Sequence, residues 1–356
     1  MATPIPLITT TVRTGHNPGD TFIGVGLQYL VERALGRQQW LLVDRFGRAG
    51  FKRHESLIRA APFVVYGGMP QYNNYDDWMH WYDGHMWDDF ILPWGLRVLT
   101  MAGGAGFRDP NASVEAFVSD CLRSKKTCRT VRKRVAGSLG FSVRDPYAHA
   151  LLNALAIENV HLPCSATWAT RFWNVEPARE RPYLFLVPST SSFVRDADGR
   201  RLHGSRAKAR ALAAQWTPVY DALKAEGHDV IVLCHEPDEY EAMRTSVPND
   251  AVRFHGDAFT LLREYAYAHT VVSARLHASL PAFGIPGTKV LHLAVDVRGS
   301  AVDILPKIGR LRAANRMPED VARTVRELVP SDESDLAPWE AAYVAFIREH
   351  VPSLSL

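Results

Sequence analysis

Cysteine is scarce: Cys121, Cys128, Cys164 and Cys234 are scattered over 356 residues with no Cys-x-x-Cys spacing. That argues against a zinc ribbon and a dense disulfide framework, and leaves buried free thiols as the simplest reading. Uninterrupted apolar runs are short, none approaching the roughly 20 residues that a membrane-spanning helix needs. The start, Met1-Ala-Thr-Pro-Ile-Pro-Leu-Ile8, lacks a basic leader region, so a cytoplasmic location is expected. Neither sign of charge dominates, with 41 Lys and Arg against 38 Asp and Glu, and a net charge of +3 does not by itself imply a nucleic-acid partner. No convincing internal repeat or low-complexity tract is present.

A hydrophobic content of 47% is ample for two buried cores, and the length favours two domains. β-rich apolar runs recur at 6–12, 40–43, 62–66, 96–101, 139–143 and 160–163, with helical patterns at 21–35, 114–122 and 147–157 between them. That alternation predicts parallel β-α units. After the polar stretch 174–181 the alternation resumes, with strands at 183–187, 229–234, 251–254, 270–273 and 289–293 and helices at 205–226, 258–268 and 278–283. The expected fold is α/β, two Rossmann-like domains facing a cleft, spanning residues 1–175 and 176–335. A last helical segment within 336–356, carrying Trp339, Tyr343 and Phe346 near helical spacing, is expected to cross back onto the first domain.

The most informative junction is Val271-Val-Ser-Ala-Arg-Leu-His-Ala278, where a β-branched run gives way to a helical pattern. Such an edge is a favoured ligand site in α/β folds. The Arg275 guanidinium can grip a phosphate or carboxylate with two donors, and the His277 imidazole can exchange a proton near neutral pH. Taken alone, His277 reads first as a structural histidine hydrogen-bonded at a helix start. Other strand ends carry related chemistry. Asn17-Pro-Gly-Asp20 opens a helix whose N-terminus can attract an anion, and Asp20 can either cap that helix or take a proton from a hydroxyl. Gly67 and Gly68, like the glycines of Gly103-Gly-Ala-Gly106, allow close approach to the backbone, by a ligand or by the chain itself. In Ser142-Val-Arg-Asp145, Arg144 either clamps an anion or pairs with Asp145. Ser189 and Ser191 follow a strand in a hydroxyl-rich turn that can cradle phosphate or satisfy its own backbone. The full dinucleotide fingerprint is missing, so no nicotinamide or flavin cofactor is expected.

Between Pro70 and Trp94 lie Tyr72, Tyr75, Trp78, Trp81, Tyr82, Trp87 and Trp94, a set suited to a local core, an oligomer interface or a sugar platform, with packing favoured. His80, His85, Asp76, Asp77, Asp83, Asp88 and Asp89 fit no standard helical ligand pair, and no metal is expected. Arg123, Lys125, Lys126, Arg129, Arg132, Lys133 and Arg134 form the densest basic run, either a solvated helix face or a surface for an anionic polymer or membrane.

In order and spacing, Asn17-Pro-Gly-Asp20, Tyr66-Gly-Gly68, Gly103-Gly-Ala-Gly106, Ser142-Val-Arg-Asp145 and Arg275-Leu-His-Ala278 resemble the polysaccharide pyruvyl transferase family, and the resemblance runs from the first helix to Arg298. It implies a GT-B-like fold with acceptor and donor sides in the first and second domains. It also implies transfer of a pyruvyl group from phosphoenolpyruvate to sugar hydroxyls, with ketal formation and release of phosphate. Carried onto these positions, Arg275 and His277 form the core of the donor site, Arg144 and Arg298 add cationic contacts, and Asp20 lies near the acceptor. His277 would be the general acid and Asp20 the base, with phosphoenolpyruvate as substrate and no further cofactor. The chain departs from the family at Arg298, where a lysine is common, and at Cys164, where many relatives carry aspartate. A nucleotide-sugar glycosyltransferase and a non-catalytic anion-binding or assembly protein are the alternatives.

Overall fold

In the computed structural model the described residues are 7–9, 18–44, 48–73, 86–106, 112–189, 205–312 and 317–351. The first sheet contains β1 (Leu7–Thr9), β2 (Trp40–Leu42), β3 (Val64–Gly67), β5 (Val98–Gly106), β6 (Ser138–Val143) and β7 (Val160–His161), in the order β2-β1-β3-β5-β6-β7. A short β4 (Pro70–Asn73) pairs with the far end of β5. The second sheet contains β8 (Tyr183–Val187), β9 (Asp229–Cys234), β10 (Val252–Phe254), β11 (Ala268–Ser273), β12 (Lys289–Ala294) and β13 (Ile308–Arg312), in the order β10-β9-β8-β11-β12-β13. Every pairing is parallel. Parallel strands require cover on both faces, which explains their continuous rather than alternating apolar runs.

These strand orders place the motifs. Each sheet starts near its middle and reverses direction, so crevices open at the carboxyl ends of β1 and β3 in the first sheet and of β8 and β11 in the second. Asp20 lies past β1, Gly67 and Gly68 at the end of β3, Ser189 past β8, and Arg275 and His277 past β11. The N–H of Ala274 donates to the Val187 carbonyl at 3.1 Å, which ties the β8 and β11 ends together.

One apolar core spans both sheets, joining Phe22 and Leu27 of the opening helix (Pro18–Leu35), Trp168, Phe283, Phe185 and Tyr343. The closing helix (Ala337–His350) packs on the opening helix, as its aromatic spacing implies. Glu340 accepts from Arg33 at 2.8 Å and from the Tyr29 hydroxyl at 3.1 Å, and Arg348 donates to the Ala34 carbonyl at 3.0 Å.

Several local expectations need correction. The strand expected at 96–101 continues through the glycine run to Gly106, with a register irregularity where Ala102 takes φ +52°. The helix expected at 258–268 stops at Tyr265, because β11 starts at Ala268. β13 was not anticipated: Ile308-Gly-Arg-Leu-Arg312 is short and only partly buried, so its apolar signal is weak. Within the aromatic stretch, Phe90 stacks on Phe51 at 4.7 Å and Trp87 meets Tyr66 edge-on at 5.9 Å, which is core packing. Residues 74–85, which hold Tyr75, Trp78, Trp81, Tyr82, His80, His85, Asp76, Asp77 and Asp83, lie outside the described residues.

Candidate active site

β6 ends in Val143-Arg144, and the next residue caps the following helix. Asp145 accepts from the Ala148 N–H at 2.9 Å and from the Ala105 N–H at 2.8 Å, so its carboxylate serves the backbone rather than Arg144. Arg144 is 1% exposed and has no carboxylate within ion-pair distance among the described residues. Its Nη1 donates to the Gly68 carbonyl at 2.5 Å and lies 3.2 Å from His277 Nε2 and 3.6 Å from Cys164 Sγ. Its Nε has no hydrogen-bond partner. Asp145 acts on Arg144 through space without bonding to it, and a buried guanidinium with no bonded carboxylate and an unbonded Nε marks this position as a place where an anion would be stabilising.

The glycine motifs make room for this arginine. A Cβ on Gly104 would fall 2.5 Å from Arg144 Nε, so any side chain on that part of β5 would displace the guanidinium. Gly68 takes φ +72°, and a Cβ there would fall 1.9 Å from Ile23 Cγ2; at Gly67 it would fall 1.5 Å from the Met101 carbonyl oxygen. The close approach expected of Gly67 and Gly68 is therefore made by the chain itself, and the contribution of Gly68 to the site is its carbonyl.

His277 enters from the second sheet. The Ser273 hydroxyl accepts the Arg275 N–H at 2.9 Å and donates to the Arg275 carbonyl at 3.0 Å, fixing the turn between β11 and the helix Leu276–Phe283. At the second helical position His277 has ψ near 19°, off the helical value. Because a guanidinium only donates, the contact with Arg144 requires Nε2 to accept, which puts the ring proton on Nδ1. Burial, followed by the positive charges of Arg144, Arg298, His235 and Arg275, holds His277 well below the usual histidine range. Its ring is neutral near pH 7.

Arg275 points elsewhere. Its Nε donates to Glu239 Oε1 at 3.0 Å, Nη2 also bonds Glu239, and Nη2 reaches Glu236 at 2.9 Å. The Glu239 side chain is 0% exposed, and its Oε2 accepts the N–H groups of His235 at 3.0 Å and Glu236 at 3.2 Å. Arg298 is likewise bonded to Asp296, at 2.9 Å from Nε and 2.6 Å from Nη2. Burial pushes the Asp296 carboxyl up, and the Arg298 charge and hydrogen bonds outweigh it, so Asp296 stays below the usual carboxylate range. Of the three arginines expected to hold an anion, two already carry the protein's own carboxylates, and Arg144 does not.

Asp20 is 8% exposed in the first turn of the opening helix, and Ser189 is half-buried just past β8. Asn17 and Ser191 lie outside the described residues. Cys164, noted in the sequence as a departure, has its Sγ 4.0 Å from His277 Nε2 and is 0% exposed. The Tyr343 hydroxyl of the closing helix donates to the Pro163 carbonyl at 2.5 Å, directly beside it. Glu239 went unrecognised, although a carboxylate three residues after Glu236 and two after Pro237 is a helix-start pattern.

The polysaccharide pyruvyl transferase family profile matches residues 17–284. A Listeria monocytogenes protein assigned as a UDP-N-acetylglucosamine 2-epimerase has a similar structure, with a TM-score of 0.50 at 10% identity, over 96% of this chain and 91% of that one. The UDP-GlcNAc 2-epimerase of Neisseria meningitidis, solved with UDP-GlcNAc bound, gives 0.47 at 10% identity over 96% and 98%. No curated protein sequence matches significantly. At such identities the first likeness establishes the two-domain GT-B-like fold alone. No described helix is long and apolar enough to cross a membrane. The matched span contains the Arg144 and His277 motifs together with the strand ends that bring them to one point, and the chain belongs to the polysaccharide pyruvyl transferase family.

Proposed function

We propose that the protein transfers a pyruvyl group from phosphoenolpyruvate to two hydroxyls of a sugar or glycan precursor, forming a ketal and releasing phosphate. The observation that carries this reading is the meeting of Arg144 and His277 at one buried point, a cation with no carboxylate bonded to it touching a proton carrier. Phosphoenolpyruvate brings a phosphate and a carboxylate into one small volume, and a guanidinium can bind either with two donors. In the first step a proton reaches the methylene carbon of the enol phosphate. An acceptor oxygen then bonds to the adjacent carbon, and the hydroxyl proton passes to a base. In the second step another hydroxyl bonds to the same carbon as that carbon's bond to the phosphate oxygen breaks, and its proton goes to the departing phosphate.

His277 supplies the first proton and Asp20 receives the hydroxyl proton. In the free protein His277 is neutral and its Nε2 lone pair is occupied by Arg144. A bound donor anion would draw the Arg144 donors to itself and add negative charge beside the ring, both of which favour protonation. Arg275 is a positioning residue that holds the turn carrying His277, while the more exposed Arg298 is a rim contact for the donor. Ser189 contributes a hydroxyl at the same crevice.

Incubating the protein with phosphoenolpyruvate and a panel of glycan acceptors tests this. Phosphate release that depends on an acceptor, with a pyruvyl ketal on the acceptor by mass spectrometry, is the expected result. Turnover of nucleotide sugars with phosphoenolpyruvate untouched would replace the reading with a glycosyltransferase.

A further inference from the structure

The densest basic run folds into the helix Lys125–Val135, which starts at Ser124 directly after the helix Val114–Arg123. Ser124 joins the two, and its hydroxyl accepts the Thr127 N–H at 3.1 Å, so the corner is well defined. At about 100° per residue, Lys125, Lys126, Arg129, Arg132 and Lys133 fall within roughly a third of the helix circumference, and all five are exposed. Thr127, Val131 and Arg134 form the opposite, buried face. No acidic residue interrupts the helix. Lys133 pairs with Asp88 and Arg123 with Asp120, whereas Lys125, Lys126, Arg129 and Arg132 make no ion pair among the described residues.

Two grooves meet at this corner. One, of about 660 Å³, takes most of its lining surface from apolar groups, with Val114, Val118, Leu122 and Ala150 beside Glu115, Ser119 and Arg123. The other, of about 820 Å³, is rimmed by Lys125, Arg129, Arg132 and Lys133 over Ala154 and Leu155. Leu122 lines both and is 41% exposed. We propose that this corner is a docking surface for an anionic phospholipid bilayer, with the basic helix on the headgroup phosphates and Leu122 beside the acyl boundary. The unpaired cations match anionic headgroups, and the apolar groove beside them matches hydrocarbon, which an anionic polysaccharide would leave unused. Ala150 and Ala154 lie on the helix Pro146–Ala154, which begins two residues after Arg144. A nine-residue helix is about 13 Å long, so the docked face and the candidate site lie at short range, and a lipid-borne acceptor could be presented there. The surface itself depends on no feature of the transfer chemistry.

Flotation of the full chain with vesicles of phosphatidylglycerol and phosphatidylcholine, against phosphatidylcholine alone, tests this. Binding is expected to the anionic vesicles and to weaken with salt. Each cation near the surface contributes about fivefold, so Lys125→Glu, Arg129→Glu and Arg132→Glu together should lower partitioning by at least about 100-fold. The same charge change at Arg37, Lys52 and Arg210, exposed residues elsewhere, should lower it far less. Leu122→Ser should weaken the binding that persists at high salt. Failure of the wild-type protein to bind anionic vesicles overturns the proposal, as does equal loss in the two triple variants. Binding of dextran sulfate without binding of vesicles would overturn it in favour of an anionic polymer.

Discussion

Alanine in place of His277 is expected to lower acceptor-dependent phosphate release by about 10²–10⁴-fold, the usual contribution of a positioned proton donor. The fold should survive, because the ring bonds to Arg144 and is not the sole support of that side chain, which also donates to Gly68. The pH dependence carries the same signature. Burial and the neighbouring cations depress the pKa of His277 in the folded free protein. The protonated form therefore gains population only as pH falls, and kcat/KM should rise toward acid below the ordinary histidine value of about 6.5. In kcat the corresponding limb should lie at higher pH, because bound phosphoenolpyruvate adds negative charge. Arg144→Gln removes the nearest cation and should shift the free-enzyme limb toward neutral pH. Stability runs the other way. His235 is also buried and also held well below the usual range, by burial first and by Arg275 second. Above about pH 6.5 both rings are neutral in the folded and unfolded chains. Below it only the unfolded chain takes up protons, so stability falls by up to about 1.4 kcal/mol per pH unit for each ring. Kinetic profiles and urea midpoints over the same pH range would check both signs.

Arg275→Ala is expected to destabilise the protein by about 3–5 kcal/mol, because it leaves the Glu239 carboxylate buried without its cation. The carboxylate is 0% exposed, and the His235 and Glu236 N–H donors to it are neutral and do not replace the charge of Arg275. The melting temperature should drop by roughly 10 °C. Pairing Arg275→Met with Glu239→Leu removes both charges and should cost less than Arg275→Ala alone, since a buried ion pair adds little over apolar packing. Thermal melts of the single and double variants decide this. A double variant less stable than Arg275→Ala would mean that the Glu239 bonds to the backbone outweigh the ion pair. Any loss of activity in Arg275→Ala has to be read beside this loss of stability.

The parallel strand series was legible in the sequence because apolar β-branched runs alternate with helical periods, and the Tyr183–Val187 and Asp229–Cys234 strands match their sequence spans residue for residue. The positions of the motifs at strand ends were legible for the same reason. What the chain does not reveal locally is the partner of each charged side chain. Arg275 and Arg144 look alike as arginines at strand ends, yet one is paired with a carboxylate 36 residues away and the other meets an imidazole 133 residues away. Such choices are made by tertiary packing, which no window of sequence contains. The glycine run at 103–106 reads in the sequence as lying past the strand end, whereas it keeps β5 extended and makes room for Arg144. Its purpose appears only once β6 lies beside it.

The central claim is that Arg144 and His277 form the donor site, and calorimetric titration with phosphoenolpyruvate tests it most directly. The wild-type chain is expected to bind phosphoenolpyruvate saturably at one site, and Arg144→Gln to weaken that binding at least tenfold, as loss of a charge-assisted contact of about 1.5–3 kcal/mol requires. Binding that is unchanged in Arg144→Gln, or binding of a nucleoside diphosphate with none of phosphoenolpyruvate, would contradict it.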